Sequence, residues 1–178
     1  MIKKSILAIS GSTREKSTNL NLIYAIKELA KDIFDIEIFN EIANLPQFNP
    51  DLDIDPAPQT ISVFRKKVKQ ADGVLICTPE YAMGVPGTLK NAIDWTVSSA
   101  EFSKKPVALI TASSMGEKAH ASLLETLKII ECNITDDTQL LISFAQTKIN
   151  SDAMITDNET LEQVKKLIFS FSKLAGNE

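Results

Sequence analysis

Five short apolar runs recur along the chain, and each is bounded by polar or turn-forming residues. In chain order they read SILAIS, IEIF, GVLICT, VALITAS and LLISFA. Continuous apolar runs of this length are typical of strands that are buried on both faces of a parallel sheet. The pattern therefore predicts five strands, the last of which extends through Ala145.

The longer segments between these runs carry apolar residues at the spacing of a helix face. These positions are Leu20, Ile23, Ile26 and Ala30; Leu89, Ile93 and Trp95; Leu123, Leu124, Leu127 and Ile130; and Leu161, Val164, Leu167 and Ile168. Strands that alternate with helices form right-handed βαβ units. We therefore predict an α/β protein with an open, doubly wound parallel sheet in a single domain over residues 1–178. The pattern alone leaves the strand order open.

The longest irregular segment follows the second run and reads NEIANLPQFNPDLDIDPAPQT. Its four prolines interrupt any regular element, so we predict an ordered surface loop. The spacing of Asp51, Asp53 and Asp55 suggests a calcium loop. Pro56, however, stands where an EF-hand needs glycine, and Ser62 stands where it needs a bidentate glutamate. A calcium site is therefore disfavoured.

Length and charge suit one ordinary globular domain. The chain has 178 residues, 44% of them hydrophobic, and a formal net charge of -4, which gives no reason to expect a nucleic acid or an anionic membrane as partner. The apolar part of the opening MIKKSILAIS is too short for a signal peptide, so a cytoplasmic protein is expected. Cys77 and Cys132 form no CxxC motif, and two reduced thiols are expected.

The polar stretch ISGSTREKSTN, which follows the first apolar run, is the first candidate site. Gly11 permits a tight turn, and the free N–H groups of the following helix face whatever binds there. The candidate ligand residues are Ser10, Ser12, Thr13, Arg14, Ser17, Thr18 and Asn19. Hydroxyl groups, backbone amides and an arginine together indicate a phosphate site. The alternative is that Thr18 or Asn19 simply caps a helix.

Two common nucleotide motifs are absent from this stretch. A Walker A loop beginning at Gly11 would need glycine at position 16 and lysine at position 17, where the chain has Lys16 and Ser17. A dinucleotide fingerprint would need glycines where Thr13 and Lys16 stand. A single terminal phosphate, such as that of the mononucleotide FMN, fits the stretch better.

A second motif, TPEYAMGVPGTLKNAIDW, follows the third apolar run. Together with GSTREKSTN it resembles the NADPH-dependent FMN reductase family, and the likeness covers nearly the whole chain. The resemblance implies a flavodoxin-like fold: a three-layer sandwich whose five-stranded parallel sheet has the order 2-1-3-4-5, with helices on both faces. It also implies FMN as cofactor and NADPH or NADH as electron donor.

The family places the second motif along the flavin ring, and this implies the cofactor contacts Pro79, Glu80, Tyr81, Ala82 and Gly84. A flat ring needs backbone close to its edge, which suits a loop shaped by glycines and prolines. Pro86 is expected at the first position of the next helix. The alternatives are a surface carboxylate for Glu80 and a packed aromatic for Tyr81. Trp95 is expected in a core or a subunit interface.

The third loop, TASSMGEKAHAS, follows the fourth apolar run, and Ser113, Ser114 and Gly116 are its expected flavin contacts. Family members commonly carry a glycine pair and a later arginine in this loop, whereas this chain has Glu117, Lys118 and His120. The preference between NADPH and NADH therefore stays open. A lone helix histidine is more often a bystander than a proton donor.

The resemblance implies a reductase in which a reduced nicotinamide and then an acceptor use the same place in a ping-pong cycle. The acceptor classes are quinones, free flavin, azo dyes, nitroaromatics and oxidised metals. The resemblance also implies a homodimer or homotetramer. From the net charge, no nucleic acid or membrane partner is expected. Two other classes stay open: a flavodoxin-type electron carrier, and a regulatory protein that keeps the fold without the cofactor. One histidine cannot form a multi-histidine metal centre, and no GxSxG elbow is present.

Overall fold

The computed structural model describes residues 3–176, and a single five-stranded sheet lies at its centre. The strands are β1 (Lys4–Ser10), β2 (Phe34–Phe39), β3 (Gly73–Thr78), β4 (Val107–Ala112) and β5 (Gln139–Ile142). All neighbouring strands are parallel, and their order is β2-β1-β3-β4-β5. The order implied by the family resemblance is therefore confirmed.

In the described part of the chain, five α-helices cover the two faces of the sheet. They are α1 (Thr18–Leu29), α2 (Gln59–Gln70), α3 (Gly87–Asp94), α4 (Glu117–Ile129) and α5 (Asn158–Leu174). One core cluster joins the sheet to α1 and α5, and the other joins it to α2, α3 and α4. The predicted three-layer α/β architecture is thus confirmed.

The central strands are apolar throughout because both of their faces are covered. Every residue of β3 and of β4 is buried, and successive residues alternate between the two clusters: Leu75 packs with α1 and α5, whereas Ile76 packs with the opposite helices. This is why their sequences are continuous apolar runs without polar alternation. The runs that we used to predict a parallel sheet have this physical origin.

Two boundaries differ from the sequence prediction. β5 ends at Ile142 and does not reach Ala145, because Phe144 has a left-handed backbone (φ +54°) that cannot continue a strand. Helix α3 begins at Gly87, and Pro86 is its N-cap with an extended ψ of 138°, so Pro86 lies one position earlier than expected. Both differences reflect local backbone geometry that the apolar pattern does not encode.

The long proline-rich segment contains two short turns of 3-10 helix (Ile42–Asn44 and Pro50–Leu52). Asp53 forms an ion pair with Arg65 at 2.6 Å and accepts a hydrogen bond from the Ser98 hydroxyl, also at 2.6 Å. The fully buried Trp95 donates its indole N–H to the Pro46 carbonyl at 2.8 Å. Trp95 therefore lies in the core, and Asp53 holds the segment against α2.

Residues 3–176 contain no helix that is long and apolar enough to cross a membrane. Within the same residues, no group of three or more His, Cys, Asp or Glu side chains is placed to hold a metal ion.

Candidate functional site

A cleft opens at the carboxyl ends of β1, β3 and β4. It lies where the chain reverses its winding direction, because β1 is followed by β2 on one side and by β3 on the other. Ligands of open α/β sheets bind at this position. The empty volume of the cleft, including its open mouth, is about 490 Å³. Its lining residues are Ser12, Arg14, Ser17, Thr18, Asn19, Pro79, Glu80, Tyr81, Ala112, Ser113, Ser114, Ala145 and Gln146.

The first loop, residues 11–17 between β1 and α1, packs unusually close to β3, and this closeness requires Gly11. Its N–H donates to the Cys77 carbonyl at 2.8 Å. A Cβ at this position would lie 2.3 Å from Thr78 Oγ1 and 2.8 Å from Thr78 Cβ, well inside van der Waals contact. Only glycine permits this approach. The role of Gly11 is therefore close packing against the neighbouring strand.

Two serines shape the same loop from within. The Ser10 hydroxyl donates to the Ser12 carbonyl at 3.0 Å, and the Ser12 N–H donates to Ser10 Oγ at 3.2 Å. Ser17 is the N-cap of α1, where its Oγ accepts from the Leu20 N–H at 3.3 Å. Neither Thr18 nor Asn19, which the sequence left open as caps, has that role.

The loop can bind an anion. Within residues 3–176, the backbone N–H groups of Thr13 and of residues 15–19 donate to no protein acceptor. Several of them lie at the N-terminus of α1, where the helix dipole favours negative charge. Arg14 is exposed, and its guanidinium forms no ion pair with any residue in this range. Unpaired donors and a cation together fit a phosphate group.

Asn19 joins three elements behind the cleft. Its side-chain amide donates to the Ala112 carbonyl at the end of β4 at 3.0 Å. Its Oδ1 accepts from the Cys77 thiol in β3 at 3.3 Å, and the residue itself is buried at the start of α1. Asn19 therefore fixes the N-terminus of α1 relative to both strands.

The second loop, residues 79–86 between β3 and α3, contains a tight two-residue turn beside the cleft. Tyr81 and Gly84 exchange both backbone hydrogen bonds, at 2.8 and 3.0 Å. The positive φ angles fall on Ala82 (+49°) and Met83 (+63°), as in a type I′ turn. Neither Gly84 nor Gly87 has a positive φ, so the left-handed positions of this turn are not glycines.

Glu80 connects the second loop to α4. Its Oε2 accepts from the Ala119 N–H at 2.9 Å, in the first turn of that helix. Its own N–H donates to Ser113 Oγ at 3.1 Å. Gly116, the N-cap of α4, has no side chain to cap the helix, so a carboxylate from another loop interacts with the positive end of its dipole. The carboxylate of Glu80 thus has a structural partner as well as a place in the lining.

Gly116 supports the third loop from outside the cleft. Its φ is +99°, and a Cβ there would lie 2.8 Å from Leu141 Cδ1 and 3.1 Å from Thr111 Cγ2. These neighbours belong to β4 and β5, so the glycine is needed for backbone conformation and close packing. Gly116 therefore shapes the loop that presents Ser113 and Ser114.

The structure brings together ten of the fifteen residues predicted from the sequence. The ten are Ser12, Arg14, Ser17, Thr18, Asn19, Pro79, Glu80, Tyr81, Ser113 and Ser114. Ala82, Gly84 and Gly116 do not line the cleft, and Ser10 and Thr13 line a second cleft on the β2 side of the first loop. That cofactor contacts are made by these residues stays a prediction.

Three lining residues were missed: Ala112, Ala145 and Gln146. Ala112 ends β4 and could have been found from its position before the third loop. Ala145 and Gln146 follow β5, which we extended too far. Because the backbone of Ala145 bonds to the Ser113 carbonyl at 3.0 Å, the end of β5 contributes a fourth segment to the site.

The histidine and the two thiols lie apart from the lining. Burial lowers the pKa of His120, and its ring nitrogens lie 2.9 Å from Thr111 Oγ1 and 3.2 Å from Gln139 Oε1. Burial raises the pKa of Cys132 to about 12, and it also raises the pKa of Cys77. Neither thiol therefore ionises near neutral pH. Both ring nitrogens of His120 already have side-chain hydrogen-bond partners.

This geometry defines a class: a flavodoxin-like α/β protein with a cleft at the switch point of its sheet. The sequence profile of the NADPH-dependent FMN reductase family matches residues 5–147. An NAD(P)H:quinone oxidoreductase of Solanum tuberosum is 30% identical, over 96% of this chain and 92% of its own length. An NAD(P)H-dependent FMN reductase of Pseudomonas aeruginosa is 31% identical, over 90% and 89% of the two chains.

Among solved structures, the flavoenzyme NAD(P)H:(acceptor) oxidoreductase FerB of Paracoccus denitrificans superposes with a TM-score of 0.77. It is 24% identical and covers 97% of each chain, so this likeness shows the fold alone. With the profile match over most of the chain, the protein belongs to the NADPH-dependent FMN reductase family. It is an oxidoreductase. Membership of this family is consistent with FMN as cofactor and a reduced nicotinamide nucleotide as electron donor.

Proposed function

We propose that this protein holds FMN in the cleft and uses NADPH or NADH to reduce a small acceptor, such as a quinone, free flavin, azo compound or nitro compound. One observation carries the proposal: residues from separate loops, most of them selected from the sequence, line one cleft at the switch point. The names of the relatives, which include quinone and FMN reductases, support the same activity.

The phosphate would be held by the first loop. The unpaired amides of residues 15–19 would donate to it, together with the hydroxyls of Ser12, Ser17 and Thr18. Arg14 would add a charge-assisted bond. The donor set therefore fits a phosphate monoester without a metal ion to neutralise it.

The second and third loops would form the walls on either side of the flavin ring. Glu80 and Ser113 hold these loops together through the bond from the Glu80 N–H to Ser113 Oγ. The ring-side residues in our proposal are Pro79, Glu80, Tyr81 and Ser114, with Ala82 and Gly84 shaping the turn. Bound FMN supplies the capacity to accept a hydride and pass electrons on, and the protein supplies position and electrostatics.

The reaction balances without a further reactant. NAD(P)H, one proton and a quinone give NAD(P)⁺ and a hydroquinone, so two electrons and two protons reach the acceptor. Use of the same cleft by both substrates suits a ping-pong order, in which the nicotinamide leaves before the acceptor enters. Steady-state rates with both substrates varied should give parallel double-reciprocal lines. Intersecting lines would contradict the ping-pong order.

The decisive experiment is an anaerobic titration of the FMN-reconstituted protein with NADPH and then NADH, followed by visible absorption. Rapid bleaching that a quinone reverses is the expected result, and the two rates give the donor preference. Bound flavin that stays oxidised would instead support a flavodoxin-type electron carrier. Failure to bind FMN at all would support a protein that has kept only the fold.

Substitutions of Arg14 and Lys16 provide a matched test of the proposal that the first loop binds the FMN phosphate. Both are exposed cations of the same loop, but only Arg14 lines the cleft. Arg14→Ala should weaken FMN binding about tenfold or more, as expected for one charge-assisted bond. Lys16→Ala should change the FMN Kd little. Equal effects of the two substitutions would remove Arg14 from the site.

The remaining proposals concern the whole chain. We propose that residues 1–178 act as one domain in the cytoplasm, with small molecules as the reaction partners. The absence of a spanning helix in residues 3–176 and the free state of both cysteines are compatible with this location. We also propose a homodimer or homotetramer. Sedimentation would contradict this assembly by giving the monomer mass of 19.6 kDa.

A further inference from the structure

Phe144 combines two features that are unfavourable for an aromatic residue. Its backbone lies in the left-handed region, with φ +54° and ψ 37°, which a bulky residue rarely adopts. Its side chain is 65% exposed, so packing does not offset the strain. Strained residues of this kind cluster at functional sites. An exposed, strained aromatic residue therefore calls for a functional explanation.

The neighbouring loop holds this conformation firmly. The Phe144 N–H donates to the Ser114 carbonyl at 3.1 Å, and the Ser143 hydroxyl donates to the Met115 carbonyl at 3.1 Å. The Phe144 carbonyl in turn accepts from the N–H of Thr147 at 3.0 Å and from its hydroxyl at 2.8 Å. Both the N–H and the carbonyl of Phe144 thus have hydrogen-bond partners.

This position lies at the rim of the cleft. Ser114, to which Phe144 is bonded, lines the cleft, and so do Ala145 and Gln146, which follow it in the chain. Met115, next to Ser114, is 61% exposed. Two exposed residues, Phe144 and Met115, therefore lie next in sequence to residues that line the cleft.

The interior of the cleft offers little apolar contact. Most of its lining consists of serine, threonine, asparagine, glutamine and charged side chains. A flat aromatic acceptor needs an apolar or aromatic surface to lie against. Together with Tyr81 and Met83 of the second loop, Phe144 and Met115 are exposed apolar side chains on the segments that line the cleft.

We propose that Phe144 is the stacking residue for an aromatic acceptor of the quinone class, and so determines acceptor specificity. This inference rests on the proposed reductase function. It predicts that removal of the ring affects aromatic acceptors selectively, and leaves a small inorganic acceptor and the cofactor unaffected.

The test compares Phe144→Ala, Phe144→Tyr and the control Phe169→Ala. Phe169 is similarly exposed, at 58%, but lies on α5 and does not line the cleft. The KM for menadione should rise about three- to tenfold in Phe144→Ala, the range expected for a lost aromatic pair. The KM for ferricyanide and the Kd for FMN should not change. Phe144→Tyr and Phe169→Ala should resemble the parent protein.

Equilibrium binding provides a readout that does not depend on turnover. Calorimetric titration of the oxidised holoprotein with 2-naphthol, a flat ring that accepts no electrons, should show weaker binding in Phe144→Ala only. An unchanged menadione KM, or an equal rise for ferricyanide, would overturn the proposal. So would a change of oligomeric state in Phe144→Ala with unchanged 2-naphthol binding, which would make the residue an interface contact.

The outcomes also separate this inference from the proposed function. If the parent protein reduces neither menadione nor ferricyanide, the proposed reductase function is wrong. The 2-naphthol titration still tests whether Phe144 contacts a bound aromatic ring. If the parent reduces both at the same KM as Phe144→Ala, the function holds and the specificity proposal fails.

Discussion

Replacing Gly11 by alanine should displace the first loop from the edge of the sheet. The new Cβ would lie 2.3 Å from Thr78 Oγ1 and 2.8 Å from Thr78 Cβ, whereas ordinary contacts of a Cβ begin near 3.4 Å. Thr78 is fully buried and cannot turn away. The loop must therefore move by about 1 Å, and overpacking of this kind lowers the free energy of unfolding by about 1–3 kcal/mol.

Urea denaturation of the protein without cofactor measures this effect directly. Gly87→Ala is the matched control, because a Cβ at Gly87 meets no heavy atom within 4 Å and the residue begins α3. That variant should be unchanged or more stable by up to about 1 kcal/mol. The same Gly11→Ala protein should also bind FMN more weakly, since the donors of the loop move with it.

Thr78→Ala offers a test of the cause. It removes the closest atom, Oγ1, and leaves the Cβ contact at 2.8 Å, so it should relieve part of the clash in the double variant. The Gly11→Ala substitution should therefore be less destabilising in the Thr78→Ala background than in the parent. Strict additivity, or a Gly11→Ala protein as stable as the parent, would refute the packing argument.

Three further predictions concern stability. Hydrogen bonds from the Ser98 hydroxyl and from Arg65 lower the pKa of Asp53. The contribution of Asp53 to the free energy of unfolding is therefore fully present above its unfolded pKa near 4. It is lost as the pH falls through the lower folded pKa. Asp53→Asn should lower the free energy of unfolding at pH 7 by about 1 kcal/mol, which is roughly the value of a partly exposed charged hydrogen bond. Measured by urea denaturation, the free energy of unfolding of this variant should also depend less on pH between about pH 5 and pH 2. Phe144→Gly should be about 1 kcal/mol more stable than Phe144→Ala, since both lack the ring and only glycine relieves the left-handed strain; equal melting temperatures would contradict this. Burial lowers the pKa of His120, so the folded state disfavours its protonation and stability should fall as the pH drops below about 6.5. In His120→Gln the melting temperature should depend less on pH between 7.5 and 5.5, and an unchanged slope would exclude the histidine as the cause.

The fold was predictable because burial on both faces leaves a direct mark on the sequence. The runs through Leu75 and Ile110 are apolar without alternation, and this is possible only in a strand covered on both sides. The strand order required the family resemblance, because the apolar pattern of a strand does not record which strand lies beside it.

The site was predictable where ligand chemistry and chain position coincide. Ser12, Arg14 and Ser17 are polar residues directly after a buried strand, and the structure places all three in the cleft. Residues whose role depends on packing between distant segments were not predictable. The contribution of Gln146 depends on the pairing of β5 with β4, and that of Gly116 depends on Leu141 of the adjacent strand.

The backbone angles of the second loop show the same limit. The loop contains two glycines, yet Ala82 and Met83 adopt the left-handed conformations. The two hydrogen bonds between Tyr81 and Gly84 close the turn and impose a positive φ on whatever residues stand between. Residue type alone therefore misplaces the strain by one or two positions.

The bonds of Asn19 have a consequence for how the protein opens. One amide side chain links the start of α1 to Cys77 of β3 and to the Ala112 carbonyl of β4. Local unfolding that frees Asn19 must break the links to both strands in the same event. Native-state hydrogen exchange should therefore group the amides at these three strand and helix ends into one cooperative unit. We therefore expect Asn19 to make this edge of the sheet a single foldon rather than three independently fraying ends.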